Sequence, residues 1–173
     1  MEYNKCLDGP FSPEQRSHCM AAVEGKDTTA EMIVRKYLFS RGLRYRVNNR
    51  KLPGSPDIVL KKYKTVIFVD GSFWHGHEGC KYSRLPKSNV DFWRHNIAMN
   101  IARDYANNVD FKLAGWKVIR IWECEIKTKT TREETLDHLY TCITELQNVK
   151  IYHTTKIYET PMAAEPQEIY RVN

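Results

Sequence analysis

A chain of 173 residues, 42% hydrophobic and 28% charged, has the make-up of one globular domain that can bury a core without disulfide staples. Its formal charge of +6 favours an anionic partner, nucleic acid first and a membrane surface second. No apolar run approaches the roughly 18–20 residues that span a bilayer, and the opening MEYNKCLDGPFSPEQ lacks signal-peptide character, so a membrane protein is excluded and a cytoplasmic location expected.

Capping chemistry marks four helix starts. In Ser12-Pro13-Glu14-Gln15 a serine precedes proline at the first helical position, and a glutamine returns to the cap. Thr28-Thr29-Ala30-Glu31 repeats the pattern and opens an amphipathic helix that Gly42 ends near Arg41. Strand signals follow at 43–47, 57–60 and 65–69. The last two are joined by Lys61-Lys62-Tyr63-Lys64 and read as a hairpin. Ser88-Asn89-Val90-Asp91 opens a long helix toward Leu113, residues 116–122 form a fourth strand, and Thr131-Arg132-Glu133-Glu134 opens a helix ending near Leu146. The order α-α-β-β-β-loop-α-β-α predicts an α/β domain, a mixed sheet flanked by helices. Its bounds are 12–148, after an extension at 1–11 and before a tail at 149–173 that lacks a clear period and carries Pro161 and Pro166.

Chemistry concentrates between residues 53 and 124. In LPGSPDIVL, Asp57 heads an otherwise apolar strand, either as a turn residue binding backbone amides or as a metal ligand on a rigid element. The next strand ends in Asp70-Gly71, a turn pair or a second carboxylate. Hairpin geometry returns this end to Asp57, where hard oxygen donors and the Val69 carbonyl suit Mg²⁺ held against a phosphate. His75 reads as a satisfied polar residue or as a general base. Phe73 and Trp74 either plug the sheet or act as wedges that stack on bases.

The five cysteines are odd in number and scattered, which suits reduced thiols better than a disulfide framework. Cys19 and Cys142 read as plain buried thiols, and Cys6 lies in the extension. His77, Cys80 and Cys124 offer nitrogen and sulfur to zinc, while Ser72 stands where a fourth thiolate would be welcome. On the long helix, Trp93, Ile97, Asn100 and Asp104 share one face, read as solvent-facing or as an active-site wall. Ala98, Ala102, Tyr105, Ala106 and Val109 form a second stripe, expected to be the core contact. Glu31, at the margin of its helix's apolar stripe, doubles as the return residue of a capping box.

With these residues in view, the chain resembles the very short patch repair (Vsr) DNA mismatch endonucleases. SPEQRSHCMAAVEGKDTTAE, LPGSPDIVL, KTVIFVDGSFWHGHEGC, PKSNVDFW, NIARD and GWKVIRIWECE run in family order over roughly residues 12–146. The resemblance implies a fold like that of type II restriction endonucleases. It also implies Mg²⁺-dependent nicking of double-stranded DNA 5′ of the thymine in a T:G mismatch, the product of 5-methylcytosine deamination. Carried over by position, Asp57 and the Val69 carbonyl bind Mg²⁺ and His75 is the catalytic histidine. Asp104 supports the site and Glu31 is an active-site glutamate. Phe73, Trp74 and Trp93 wedge into DNA beside the mismatch, and Met20 enters from the minor groove. A wobble pair is cheap to unstack, so aromatic wedges provide physical selection.

The chain departs from the family at two places. The structural zinc positions match Ser72, His77, Cys80 and Cys124, so one ligand is missing, and Glu78-Gly79 add a residue before Cys80. Some members carry histidine where this chain has Asp70, which becomes an extra metal ligand or an aid to the leaving group. A monomer is expected, with repair-machinery proteins as further partners. The alternatives are a restriction-like nuclease with another target, a non-catalytic module that binds distorted DNA, and a zinc-stabilised adaptor.

Overall fold

A computed structural model describes residues 12–22 and 25–145. In chain order the elements are α1 (Pro13–Ala21), α2 (Thr29–Ser40), β1 (Arg46–Val47), β2 (Ile58–Leu60), β3 (Thr65–Asp70), α3 (Val90–Leu113), β4 (Lys117–Trp122) and α4 (Lys129–Thr144). The strands lie side by side as β1-β2-β3-β4. The first two pairings are antiparallel and β3–β4 is parallel, with α3 inside the connection that a parallel pair requires. This is the mixed sheet with flanking helices expected of a restriction-endonuclease-like fold. None of the described helices is long and apolar enough to cross a membrane.

The sheet is buried on both faces, and the side-chain period of two sorts its residues. Ile58, Leu60, Ile67 and Ile121 pack with Val34 and Leu38 of α2 and Leu136, Leu139 and Ile143 of α4. Val59, Val66 and Phe68 face the opposite way and pack on Phe111 of α3.

Both N-terminal capping boxes form as expected, Ser12 with Gln15 and Thr28 with Glu31. Gly42 takes a left-handed φ of 78° and lets Leu43 N–H reach back to Leu38 O at 3.0 Å, closing α2. Elsewhere the local reading is corrected. The strand expected at 43–47 shrinks to Arg46–Val47 because Leu43 turns into the core instead. Asn89, not Ser88, precedes α3, in a left-handed conformation without a side-chain cap. Thr128, not Thr131, caps α4, since its Oγ1 accepts from Thr131 N–H. That helix ends at Thr144, whereas the N-terminal extension, Leu146 and the tail at 149–173 lie outside the described residues. Cys142 is a free, half-buried thiol.

The largest correction concerns α3. The stripe expected to form its core contact is solvent-facing: Tyr105 is 53% and Val109 37% exposed, and Ala102 and Ala106 are exposed too. The mixed face turns inward instead. Asn100 Nδ2 donates to Trp74 O at 2.9 Å, and Asp104 meets His75. Polar groups with committed partners fix the helix's rotation about its axis, and an apolar stripe cannot compete with them once they are desolvated.

Candidate active site

Asp57 stands at the entry to β2 after the stiff Pro53–Pro56 approach, where Gly54 adopts φ +65°. A Cβ at Gly54 would lie 2.5 Å from Asn107 Nδ2 of α3, and the left-handed backbone itself favours glycine there. The Asp57 carboxylate accepts from Val69 N–H at 2.8 Å, which places it against the end of β3 as the hairpin predicts. The N–H and C=O of one strand residue point the same way, so the Val69 carbonyl shares this edge. Burial pushes the Asp57 carboxyl up to about 6, against the Val69 hydrogen bond that lowers it, with Glu31 and Asp70 adding like charge.

Asp70 ends β3 at 4% exposure. Its Oδ2 accepts from Arg120 Nη1. The same Nη1 reaches Asp104 Oδ2 at 3.2 Å. Asp104 Oδ2 lies 2.6 Å from His75 Nδ1, whereas Asp70 Oδ1 stays 3.7 Å from His75 Nε2. A carboxylate only accepts, so Nδ1 carries the proton and Nε2 is the nitrogen free to take one. Burial pushes His75 down, but the Asp104 hydrogen bond and the Asp70 and Asp104 charges outweigh it and leave it raised. Burial raises Asp104 in turn, and its bond to His75 wins and holds it low. Burial raises Asp70, with His75 and Arg120 opposing. The sequence reading had not singled out Arg120. Its only signal was a cation within the apolar run VIRIW.

The loop from Gly71 to His77 coils through short backbone bonds, with His75 N–H on Gly71 O at 3.2 Å and His77 N–H on Ser72 O at 2.9 Å. Gly76, at φ +61°, is pressed by α3, because a Cβ there would come within 2.8 Å of Ile101 Cδ1.

Glu31 is 3% exposed and already committed. Its carboxylate accepts from Arg35 Nη2 at 2.6 Å, Asp27 N–H at 3.1 Å, and Thr28 N–H and Oγ1 at 3.3 and 3.0 Å. These bonds occupy both carboxylate oxygens, and the residue lies near enough to Asp57 to act on it electrostatically.

Phe73 departs from the wedge reading. It is fully buried, with Met20, Trp74, Trp93 and Ile97 packed on it. Its centroid lies 5.2 Å from Trp74 and 5.3 Å from Trp93, both edge to face. A phenyl ring with no polar atom gains most as the floor of such a cluster. The half-buried Trp74, Trp93 and Met20 remain at the surface side.

Asp70, expected as an extra metal ligand or an aid to the leaving group, has its Oδ2 on Arg120 and its Oδ1 beside His75.

Ligand atoms of His77, Cys80 and Cys124 all lie within 4.8 Å of one another. Cys124 Sγ is 3.3 Å from His77 Nδ1, and the His77 ring stacks on Trp122 at 4.1 Å. Burial pushes the Cys124 thiol up to about 11, a value that a bound cation would reverse. Ser72 is fully buried alongside.

A mixed sheet with a strand-end carboxylate and a buried His–Asp pair has the make-up of a restriction-like α/β nuclease, a class in which divalent-metal dependence is general. A profile described as "DNA mismatch endonuclease Vsr" matches residues 9–81. The chain is 46% identical over 129 residues to the type II nicking enzyme V.NmeAIP of Neisseria meningitidis, covering 75% of this chain and 91% of that protein. It is 44% identical over 113 residues to the type II nicking enzyme V.HpaIIP of Haemophilus parainfluenzae, 65% of this chain and 80% of that one. It is 37% identical over 112 residues to the DNA mismatch endonuclease Vsr of Escherichia coli K12, 65% of this chain and 71% of that one. The chain belongs to the Vsr DNA mismatch endonuclease family.

Proposed function

We propose that this endonuclease nicks duplex DNA 5′ of the thymine in T:G mismatches, using Mg²⁺. The observation that carries the catalytic reading is the His75–Asp104 pair at 2.6 Å, set on the same strand-end edge as Asp57. The printed name of the E. coli relative supports mismatched DNA as the substrate. Water beside the scissile phosphorus gives its proton to His75 Nε2, while Asp104 orients the ring and offsets the imidazolium that forms. Asp57 and the Val69 carbonyl would hold the cation. Glu31 and Asp70 add like charge at Asp57 even with Arg35 and Arg120 beside them, which suits a divalent ion, and Mg²⁺ asks for one or two carboxylates with water and phosphate oxygens completing its shell. When bound, the ion stabilises negative charge developing on the phosphoryl group. Trp74 and Trp93 stack at the mismatch, with Met20 packed in the same cluster and Phe73 supporting them from below. The protein works on duplex DNA at the nucleoid as a monomer, alongside other repair proteins.

The test is a panel of end-labelled duplexes carrying one T:G pair, one other mismatch or none, incubated with protein and Mg²⁺. Cleavage 5′ of the thymine in the T:G duplex alone is expected. Equal cutting of the matched duplex would favour a sequence-directed nicking enzyme, a reading that the names of the Neisseria and Haemophilus relatives motivate. No cutting of any member would leave a non-catalytic binder of distorted DNA.

His77, Cys80 and Cys124 also suit a structural Zn²⁺, with three protein ligands, one short of the usual four because Ser72 offers only a hydroxyl. Elemental analysis of the purified protein is expected to find about one zinc per chain, lost or largely reduced in Cys124→Ser. Wild-type protein without zinc would end this assignment.

A further inference from the structure

We propose that Arg120 is a positioning residue, clamping Asp70 and Asp104 together so that His75 keeps Nδ1 on Asp104 and leaves Nε2 free. The inference rests on the reading of His75 as the base. The parallel register sets Arg120 opposite Phe68 and Trp122 opposite Asp70. The guanidinium lies 5.0 Å from the Phe68 ring centroid, which steers the side chain along the sheet toward the strand end. From there one nitrogen, Nη1, serves Asp70 Oδ2 on β3 and Asp104 Oδ2 on α3.

Two features make this more than a structural ion pair. The Asp104 oxygen that Arg120 holds is the one that His75 Nδ1 meets, so Arg120 fixes the point toward which the imidazole is aimed. Arg120 also restrains Asp70. With Oδ2 held, Oδ1 stands 3.7 Å from Nε2, outside hydrogen-bond range. Released, that carboxylate has only to rotate to draw a proton onto Nε2, and the nitrogen needed by water would be taken. Two buried carboxylates on either side of one imidazole are stable as a pair only with a cation between them. The Arg120 side chain is 17% exposed, which suits a role behind His75 rather than contact with DNA.

The test compares Arg120→Met, Arg120→Lys and Asp70→Asn/Arg120→Met in the full chain. Single-turnover nicking and DNA binding are measured alongside ¹⁵N chemical shifts of the His75 ring at one fixed alkaline pH. Arg120→Met is expected to slow the nicking step about 10–100-fold, the range for partners that orient a reacting group. DNA affinity should change little, and the His75 shifts should move from the Nδ1–H pattern toward a mixed one. Arg120→Lys should recover part of the rate, because a point charge replaces some of what the planar fork does. The double variant should outperform Arg120→Met, since the carboxylate that needed restraint is gone.

Unchanged ring shifts with an unchanged nicking step in Arg120→Met would overturn the proposal. So would a double variant no better than the single one, which also covers the case in which Arg120→Met folds poorly. His75→Ala separates this from the underlying reading. Full activity in His75→Ala removes the base assignment, while the ring spectrum still reports on Arg120. An inactive His75→Ala beside a fully active Arg120→Met removes only the clamp.

Discussion

Asp57→Asn is expected to abolish nicking, bind DNA as wild type does, and stabilise the metal-free protein above pH 6. The first effect follows from losing the carboxylate that holds the cation. Such charge stabilisation is worth several kcal/mol, so a loss of at least about a thousandfold is expected. The stability effect comes from burial. The folded carboxyl is pushed up to about 6, above the 3.8 of an unperturbed aspartate, so the folded chain binds this proton more tightly than the unfolded chain. Its contribution is therefore fully present below about pH 4 and is lost as pH rises through 6. At about 1.4 kcal/mol per pKa unit, wild type forgoes up to about 3 kcal/mol at pH 7 to 8. An asparagine has no charge to desolvate and its side-chain oxygen can still accept from Val69 N–H. Thermal melts across pH 4 to 8 with chelator should show the variant ahead at high pH and the gap closing on acidification. Added Mg²⁺ should raise the wild-type melting temperature and leave the variant's unchanged. A pH-independent gap, or a variant that still nicks, would remove Asp57 from the metal site.

His75→Ala should slow the nicking step about 10²–10⁴-fold, the usual contribution of a positioned general base, with DNA binding preserved. The pH dependence carries a sign that separates a base from a bystander. His75 must be neutral to accept a proton, and it is raised above its ordinary 6.5, chiefly by Asp104 working against burial. The acid limb of the wild-type rate profile should therefore lie above pH 6.5, with the rate rising as the pH passes through it. Asp104→Asn removes both the charge-assisted bond and the negative charge, so the limb should move to lower pH while the plateau falls. A limb that stays in place or moves upward in Asp104→Asn would refute the pairing.

Burial divides the aromatic cluster into a floor and an outer pair. Trp74 and Trp93 lie edge to face, 5.8 Å apart, with Phe73 beneath them and Met20 packed alongside. The two indoles therefore form one supported unit rather than two separate exposed rings. Phe73 supplies the floor that holds their spacing, a task for which complete burial is an advantage.

How much of this was legible in the sequence depends on the range of the interaction. The Ser12–Gln15 and Thr28–Glu31 boxes close within three residues, so composition and order suffice to read them. The β2–β3 hairpin has a short connection, and its register brings Asp57 to the end of β3, where its side chain reaches Val69 N–H. The short order of chemistry in GSFWHGHEGC was likewise enough to mark His75, His77 and Cys80 as one neighbourhood. Two threonines three apart, by contrast, each look like a cap for α4, and only packing chose Thr128.

By itself, then, the sequence determined the strand and helix order, the hairpin that seats Asp57, and the family. It did so because near neighbours and alternating hydrophobicity dictate these features. Only the tertiary structure decided which face of α3 turns inward, that Phe73 is buried, that Glu31 is already committed, and that Arg120 joins Asp70 to Asp104. Arg120 is 50 residues from Asp70 and 16 from Asp104 along the chain. No local pattern links them, because what pairs them is the desolvation of two carboxylates that meet only when β3, β4 and α3 have packed.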